Sequence, residues 1–244
     1  MMYICNSVDR TRCGSCGGAN PHEHKGNPTL SYCEKVRKHV KCIPVDCLIP
    51  DYLFRIDGME RRTERMMKLL EQQLRACRKC TLHMNGRALP YWTVDYKGIA
   101  IVGEAPGREE IETNTPFCGK AGKILMGMLE RHGIQREHCL IINSVNCRPV
   151  EGLKNGKPSA LHLETCRPWI NKYFGVLKPK KVLLLGNYAL GTILEEDGIT
   201  SKNATLLERD GVSYVKSVHP AYAIYAQEKG LQMLEKSVLL LSKV

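Results

Sequence analysis

The chain has 244 residues, which is enough for one substantial core and a small appendage. Its 43% apolar and 25% charged content is typical of a globular protein, and no apolar run is long enough to span a bilayer. The net charge of +11 favours a polyanionic partner, with nucleic acid the first candidate.

The first residues lack the apolar core of a secretion signal, so we expect a cytoplasmic, intracellular protein. The chain contains 12 cysteines. In a reducing compartment, this number favours metal or cluster ligation over disulfides.

Residues 1–55 are predicted to form a Cys/His-rich extension, because they contain too few large apolar residues for a core of their own. The Cys13-x-x-Cys16 spacing is typical of half of a structural zinc site. The second half is open among several cysteines and histidines, from which we take Cys33 and Cys42 as the zinc ligands. The alternative is a reduced, cysteine-rich arm without metal.

A second domain is predicted at 59–244, and it begins with a charged amphipathic helix over 59–76. Its apolar face is assigned to Met66, Leu69, Leu70 and Leu74. From residue 99 onward, buried strands alternate with helices. The strands are predicted at 99–102, 139–143, 181–185 and 212–218, and the main helices at 122–132, 161–174 and 231–241. This alternation predicts a three-layer α/β/α sandwich with a central four-stranded parallel sheet.

Polar motifs follow several of these strands. The first strand is followed by Gly103-Glu104-Ala105-Pro106-Gly107 and then by Pro116-Phe117-Cys118-Gly119. The second strand ends at Asn143, and the last is followed by His219-Pro220. Open α/β sheets bind ligands at the carboxyl ends of their strands, so these residues predict a pocket for a flat, polar ligand.

Each of these residues also has an ordinary structural explanation. Asn143 is a common turn former, Phe117 suits a core, and His219 or Glu104 suits a loop or helix cap. A phosphate-binding P-loop is excluded, because Gly119-Lys120 is followed by alanine.

Taken in order, the strand-end motifs resemble those of the uracil-DNA glycosylase superfamily, specifically its iron–sulfur family four, over roughly residues 70–244. The resemblance includes a cysteine set, namely Cys77, Cys80, Cys147 and Cys166. It implies that this set binds a 4Fe–4S cluster with a structural role. By count alone, four thiolates suit zinc equally well.

The resemblance also implies site roles. Phe117 stacks on the extruded base, Asn143 reads the uracil edge, and His219 lies beside the base oxygen at the scissile bond. Glu104, Ala105 and Gly107 border the sugar and the attacking water. The catalytic candidates are therefore His219, Asn143 and Glu104. The best-known members activate water with an aspartate, and Ala105 stands at the matching position, which leaves Glu104 or a backbone-held water for this task.

These roles imply an enzyme that flips deoxyuridine out of DNA and hydrolyses its N-glycosidic bond, leaving an abasic site for base excision repair. We expect a monomer that acts on uracil-containing DNA and not at a membrane. The alternatives are a non-catalytic DNA-binding module, a scaffold in a replication complex, and a glycosylase for another deaminated base.

One departure from the family is Ala221-Tyr222 after His219-Pro220, where a small polar residue is usual. Tyr222 and Tyr225 either wedge into the duplex or pack.

Overall fold

A computed structural model describes residues 51–244, with side chains described from Arg61 onward. The chain divides into two units, residues 1–61 and 62–244. The proposed zinc ligands Cys13, Cys16, Cys33 and Cys42 lie outside the described residues. No helix in the described part of the chain is both long and apolar enough to cross a lipid bilayer.

Seven strands and seven α-helices are found in residues 51–244. The strands are β1 (Ile99–Gly103), β2 (Cys139–Asn143), β3 (Val150–Glu151), β4 (Lys154–Asn155), β5 (Lys181–Leu185), β6 (Thr205–Arg209) and β7 (Val212–Ser217). The helices are α1 (Asp51–Arg75), α2 (Arg108–Thr113), α3 (Lys120–Arg131), α4 (Ala160–Leu177), α5 (Gly186–Leu194), α6 (Pro220–Tyr225) and α7 (Gln227–Lys243). Short 3-10 turns cover Thr81–Asn85 and Arg136–His138.

The central sheet has the strand order β2-β1-β5-β7-β6. The first four strands are parallel, and β6 runs antiparallel to β7 at the edge. The predicted α/β class and its four parallel strands are confirmed. The sequence does not predict the fifth strand, because Thr205–Arg209 is mostly exposed and has no buried apolar run.

Side chains from the two faces of the sheet form two apolar layers, as the period of two in a strand requires. Val102 and Ile142 pack on one face with residues of α1, α4 and α5. Ile101 and Ile141 pack on the other with residues of α3 and α7. The predicted three-layer sandwich is therefore confirmed.

Two of the four residues predicted for the apolar face of α1 are buried, and the other two are exposed. Met67, Leu70 and Leu74 are buried, whereas Met66 and Leu69 are more than 40% exposed. Residues three and four apart share a helix face, so a stripe through 67, 70 and 74 leaves Met66 and Leu69 at its margin.

Candidate active site

A pocket of about 290 Å³ opens at the carboxyl edge of the sheet. Five predicted site residues line it, namely Ala105, Gly107, Phe117, Asn143 and His219. They come from the turn after β1, the segment before α3, and the ends of β2 and β7. The sheet therefore brings together residues that are distant in the chain, since Ala105 and His219 are 114 positions apart.

Asn143 and Phe117 meet above Gly103, the last residue of β1. A Cβ at Gly103 would lie 2.3 Å from Asn143 Oδ1 and 2.6 Å from Phe117 Cζ. Real Cβ atoms do not approach other atoms so closely, so glycine at this position is what allows the carboxamide and the ring to lie side by side.

Asn143 as a residue is only 5% exposed, none of the described residues forms a hydrogen bond with its carboxamide, and the amide atoms are not fully enclosed by protein. Its backbone is fixed by the next residue, since Ser144 donates from both its N–H (2.9 Å) and its hydroxyl (2.8 Å) to the Gly103 carbonyl. Because Asn143 lines the pocket and its amide has no protein partner, both the amide donor and the amide acceptor are free to bind a polar group there.

His219 reaches the pocket from β7 across the end of β5. Gly186 follows β5 with a φ of +84°, and a Cβ there would lie 3.1 Å from His219 Cβ, so this glycine permits the close approach. The imidazole ring lies 6.4 Å from the Phe117 ring between centroids, at an interplanar angle of 36°.

The protonation state of His219 is set by its surroundings. Its Nδ1 accepts a hydrogen bond from the Ala221 N–H at 3.2 Å, which places the proton of the neutral ring on Nε2. Burial lowers the pKa of His219 to about 4. At neutral pH the ring is therefore an uncharged donor through Nε2.

Glu110 holds two parts of the pocket wall and is not among the site residues that the sequence predicts. Its carboxylate accepts hydrogen bonds from the Gly107 N–H (2.9 Å) and from the Phe117 N–H (2.5 Å). Burial raises the pKa of Glu110, and these two donors oppose the rise. The sequence signal is its position three residues after Gly107 at the start of α2, the spacing of a capping residue.

Phe117 adopts a left-handed backbone conformation with a φ of +56°, which is uncommon for an aromatic residue. Gly122 of α3 packs against this backbone, where a Cβ would lie 2.1 Å from the Phe117 carbonyl oxygen. The ring itself is buried at 5% exposure. Glu110 and Gly122 together fix the direction of the ring.

The two glycines of α3 give a matched test of this packing. Gly122→Ala should lower the free energy of unfolding by about 1–3 kcal/mol, because its methyl group collides with the Phe117 backbone. Gly127→Ala should raise it by about 0.5–1 kcal/mol, because a methyl group at Gly127 would meet no atom within 4 Å and alanine favours the helix. Urea unfolding of both variants would measure this, and equal effects would contradict the packing argument.

Glu104 is half-buried and is not among the residues that line the pocket. Its carbonyl accepts a hydrogen bond from the Val145 N–H at 3.1 Å, which joins the turn after β1 to the loop after β2. Burial raises the pKa of its carboxyl, and the positive charge of Lys157 opposes that rise. The structure therefore groups the other five predicted residues and sets Glu104 beside them.

A second cavity, of about 10 Å³, is lined by all four predicted cluster ligands, which are Cys77, Cys80, Cys147 and Cys166. They come from the segment after α1, the loop after β2, and α4. Among the side chains described, from Arg61 to Val244, no three Cys, His, Asp or Glu residues stand close enough to enclose a single metal ion. Ligands of a multi-iron cluster stand further apart, since each binds its own iron.

The surroundings of these thiols suit a sulfur-rich anionic group. Arg87 Nε donates to Cys147 Sγ at 3.3 Å, and Asn146 Nδ2 donates to Cys166 Sγ at 3.5 Å. Burial raises the pKa of Cys147 and raises that of Cys166 to about 11, so a bound metal would displace thiol protons. Hydrogen bonds to the sulfurs are a common feature of iron–sulfur sites, and the four residues fit such a group.

Comparison with known proteins gives one family and several relatives. The model of the uracil DNA glycosylase superfamily matches residues 90–241. The chain is 35% identical to a type-4 uracil-DNA glycosylase of Pyrobaculum aerophilum over 130 residues, which are 53% of this chain and 65% of that protein. It is 32% identical to the type-4 enzyme of Archaeoglobus fulgidus over 164 residues, covering 63% of this chain and 81% of the relative. The match to the type-4 enzyme of Sulfurisphaera tokodaii is 30% over 172 residues, covering 65% and 76%.

Proposed function

Because this chain belongs to the uracil DNA glycosylase superfamily, we propose that it hydrolyses the N-glycosidic bond of deoxyuridine in DNA and leaves an abasic site. The resemblance derived from the motifs is thereby confirmed at the level of the family. The observation that carries the proposal is the Asn143 carboxamide, which lines the pocket beside the Phe117 ring and has no hydrogen-bond partner among the described residues.

Asn143 would select uracil by its hydrogen-bonding pattern. The amide oxygen accepts from uracil N3–H and the amide nitrogen donates to O4, a pattern that cytosine lacks. A base that fills the pocket without matching this pattern displaces water from the amide and leaves the amide unpaired, and this penalty discriminates against the wrong base. The Phe117 ring, fixed by Glu110, supplies the apolar surface on which the flat base stacks.

His219 would stabilise the leaving group. When the C1′–N1 bond breaks, its electron pair leaves with uracil, and negative charge develops on N1 and O2 while the sugar becomes cation-like. A neutral imidazole that donates from Nε2 to O2 stabilises that charge without giving up its proton. The Ala221 N–H at Nδ1 and the low pKa of His219 both favour this form.

Water then adds to C1′ and loses a proton to the departing uracil anion or to solvent. The products are neutral uracil and an abasic sugar with a hydroxyl group at C1′. Ala105 brings no base to the pocket. We assign Glu104 the task of polarising water at the edge of the site, with the cation-like sugar supplying most of the driving force. Basic residues near the pocket, among them Arg108 and Lys120, would contact the phosphates of the flipped strand.

Cys77, Cys80, Cys147 and Cys166 would hold a 4Fe–4S cluster, which supplies a structural cross-link and no step of the hydrolysis. The cluster would tie the segment after α1 to α4 and to the loop after β2. Cys147 is four residues from Asn143, so this cross-link acts close to the base-reading residue.

The test uses the full chain and a labelled oligonucleotide that contains one uracil. Treatment with the protein and then with alkali should break the strand at the uracil, and a thymine strand of the same sequence should stay intact. A shift in migration without cleavage would contradict the enzyme and favour a binding module. Cleavage at hypoxanthine instead of uracil would reassign the substrate.

A further inference from the structure

Arg87 lies in the wall of the cavity that the four cluster cysteines share, and the proposed hydrolysis does not use it. It is half-buried in the segment that follows the 3-10 turn Thr81–Asn85. Its backbone pairs with Cys147 in an antiparallel bridge, and the Ala88 N–H donates to the Asn146 carbonyl at 3.1 Å beside that bridge. These contacts hold Arg87 against the loop after β2, which carries one of the four cysteines.

The guanidinium group of Arg87 donates hydrogen bonds to three different acceptors. Nε donates to Cys147 Sγ at 3.3 Å, while Nη1 donates to the Arg75 carbonyl and Nη2 to the Cys77 carbonyl. Both carbonyls lie at the end of α1, where the last turn of a helix has no internal donors for its carbonyls. One planar side chain therefore fixes the path by which the chain leaves α1 toward Cys77 and Cys80, and it also contacts the sulfur of Cys147.

The charge of Arg87 suits the group that the cysteines would bind. Four thiolates carry more negative charge than an iron–sulfur core carries positive charge, so a site with its cluster is anionic. None of the residues that line the cavity is an aspartate or a glutamate. Lys79 also lines the cavity but is exposed, whereas Arg87 is half-buried, and solvent screens its charge less. Positive charge without a carboxylate favours an anionic occupant.

We propose that Arg87 is a positioning residue of the cluster site, which aligns Cys77 and Cys147 for one cluster and offsets the negative charge of the bound thiolates. This inference rests on the proposed function through its iron–sulfur cluster, and it adds a residue that is not a ligand. Arginine suits this task and lysine does not, because only a guanidinium presents a planar set of donors to three acceptors at once.

The first test measures how fast iron leaves the full-length purified protein in the presence of a strong iron(II) chelator. Arg87→Gln should lose iron about 10- to 100-fold faster than the parent protein, because Cys147 loses its donor and the site loses a half-buried charge. Arg87→Lys keeps the charge without the three contacts, so its rate should lie between the two. A lysine variant that retains iron as well as the parent protein would overturn the assignment, since charge alone would then suffice.

Arg78→Gln is the matched control for these variants. Arg78 follows Cys77 directly in the chain, but it is exposed and is not among the residues that line the cavity. Removing its charge should change the rate of iron loss by less than about twofold, because solvent and salt screen an exposed charge. Equal acceleration in Arg78→Gln and Arg87→Gln would overturn the assignment, since any nearby positive charge would then have the same effect.

A vibrational measurement separates this role from that of a simple cap on α1. In the parent protein, the iron–cysteine stretching bands of the resonance Raman spectrum should shift between light and heavy water, because the N–H donors to the sulfurs exchange their hydrogens. Arg87→Gln should show a smaller shift, since only the Asn146 donor to Cys166 remains of the two side-chain donors described. If Arg87→Gln cannot be purified with its iron, Arg87→Lys takes its place. An unchanged shift would overturn the assignment, because Arg87 would then act only through the end of α1.

None of these measurements depends on the cleavage of uracil. A protein that contains iron but cleaves no uracil would refute the proposed glycosylase, while its rates of iron loss would still decide the role of Arg87. A protein that cleaves uracil but contains no iron would overturn the inference about Arg87 and leave the glycosylase in place.

Discussion

Replacing Asn143 with alanine is expected to slow cleavage of uracil-containing DNA by about 100- to 1,000-fold. The change removes both hydrogen bonds that would read the base, in a pocket from which a bound base would displace water. Single-turnover rates on the uracil oligonucleotide would measure the loss.

An isosteric variant separates chemistry from packing. Asn143→Asp keeps the shape that fits above Gly103 but replaces the amide donor with an oxygen that faces uracil O4. It should lose activity to a similar degree while its thermal unfolding and far-ultraviolet dichroism stay close to those of the parent chain. If both variants cleave uracil at the parent rate, Asn143 does not read the base.

The strands that build the pocket could be predicted from the sequence because they are buried on both faces. Runs such as Lys181–Leu185 are continuously apolar after the first residue, and strands 139–143 and 181–185 have the predicted bounds. The convergence of Asn143 with His219 then follows from one rule, that parallel strands present their carboxyl ends at the same edge. No contact had to be known in advance.

Other features depend on pairing and packing contacts in the folded chain. The edge strand β6 contains two leucines, Leu206 and Leu207, but neither is buried, and the strand is stabilised by antiparallel pairing with β7. The role of Glu110 depends on the position of the Phe117 N–H, which only the folded chain defines. The choice of Met67 over Met66 depends on how α1 is rotated against the sheet.

Replacing Cys166 with serine is expected to abolish the cluster and lower the free energy of unfolding by about 4 kcal/mol or more. Cys166 is buried on α4 and shares its cavity with Cys77, Cys80 and Cys147. Binding energy at a site that joins three distant segments adds directly to folding, because the unfolded chain cannot form it. The parent protein should absorb visible light, bleach with dithionite, and contain iron and acid-labile sulfide in equal amounts, whereas Cys166→Ser should be colourless.

Cys118→Ser is the matched control, since Cys118 is a half-buried thiol outside that cavity. It should keep the visible absorption, the iron content and the denaturation midpoint of the parent protein, so that any loss in Cys166→Ser comes from the site and not from removing a thiol. A colourless parent protein that contains zinc would contradict the iron–sulfur assignment. If the Cys166→Ser variant keeps its colour, Cys166 is not a ligand. The cluster would then be bound without a cysteine from α4.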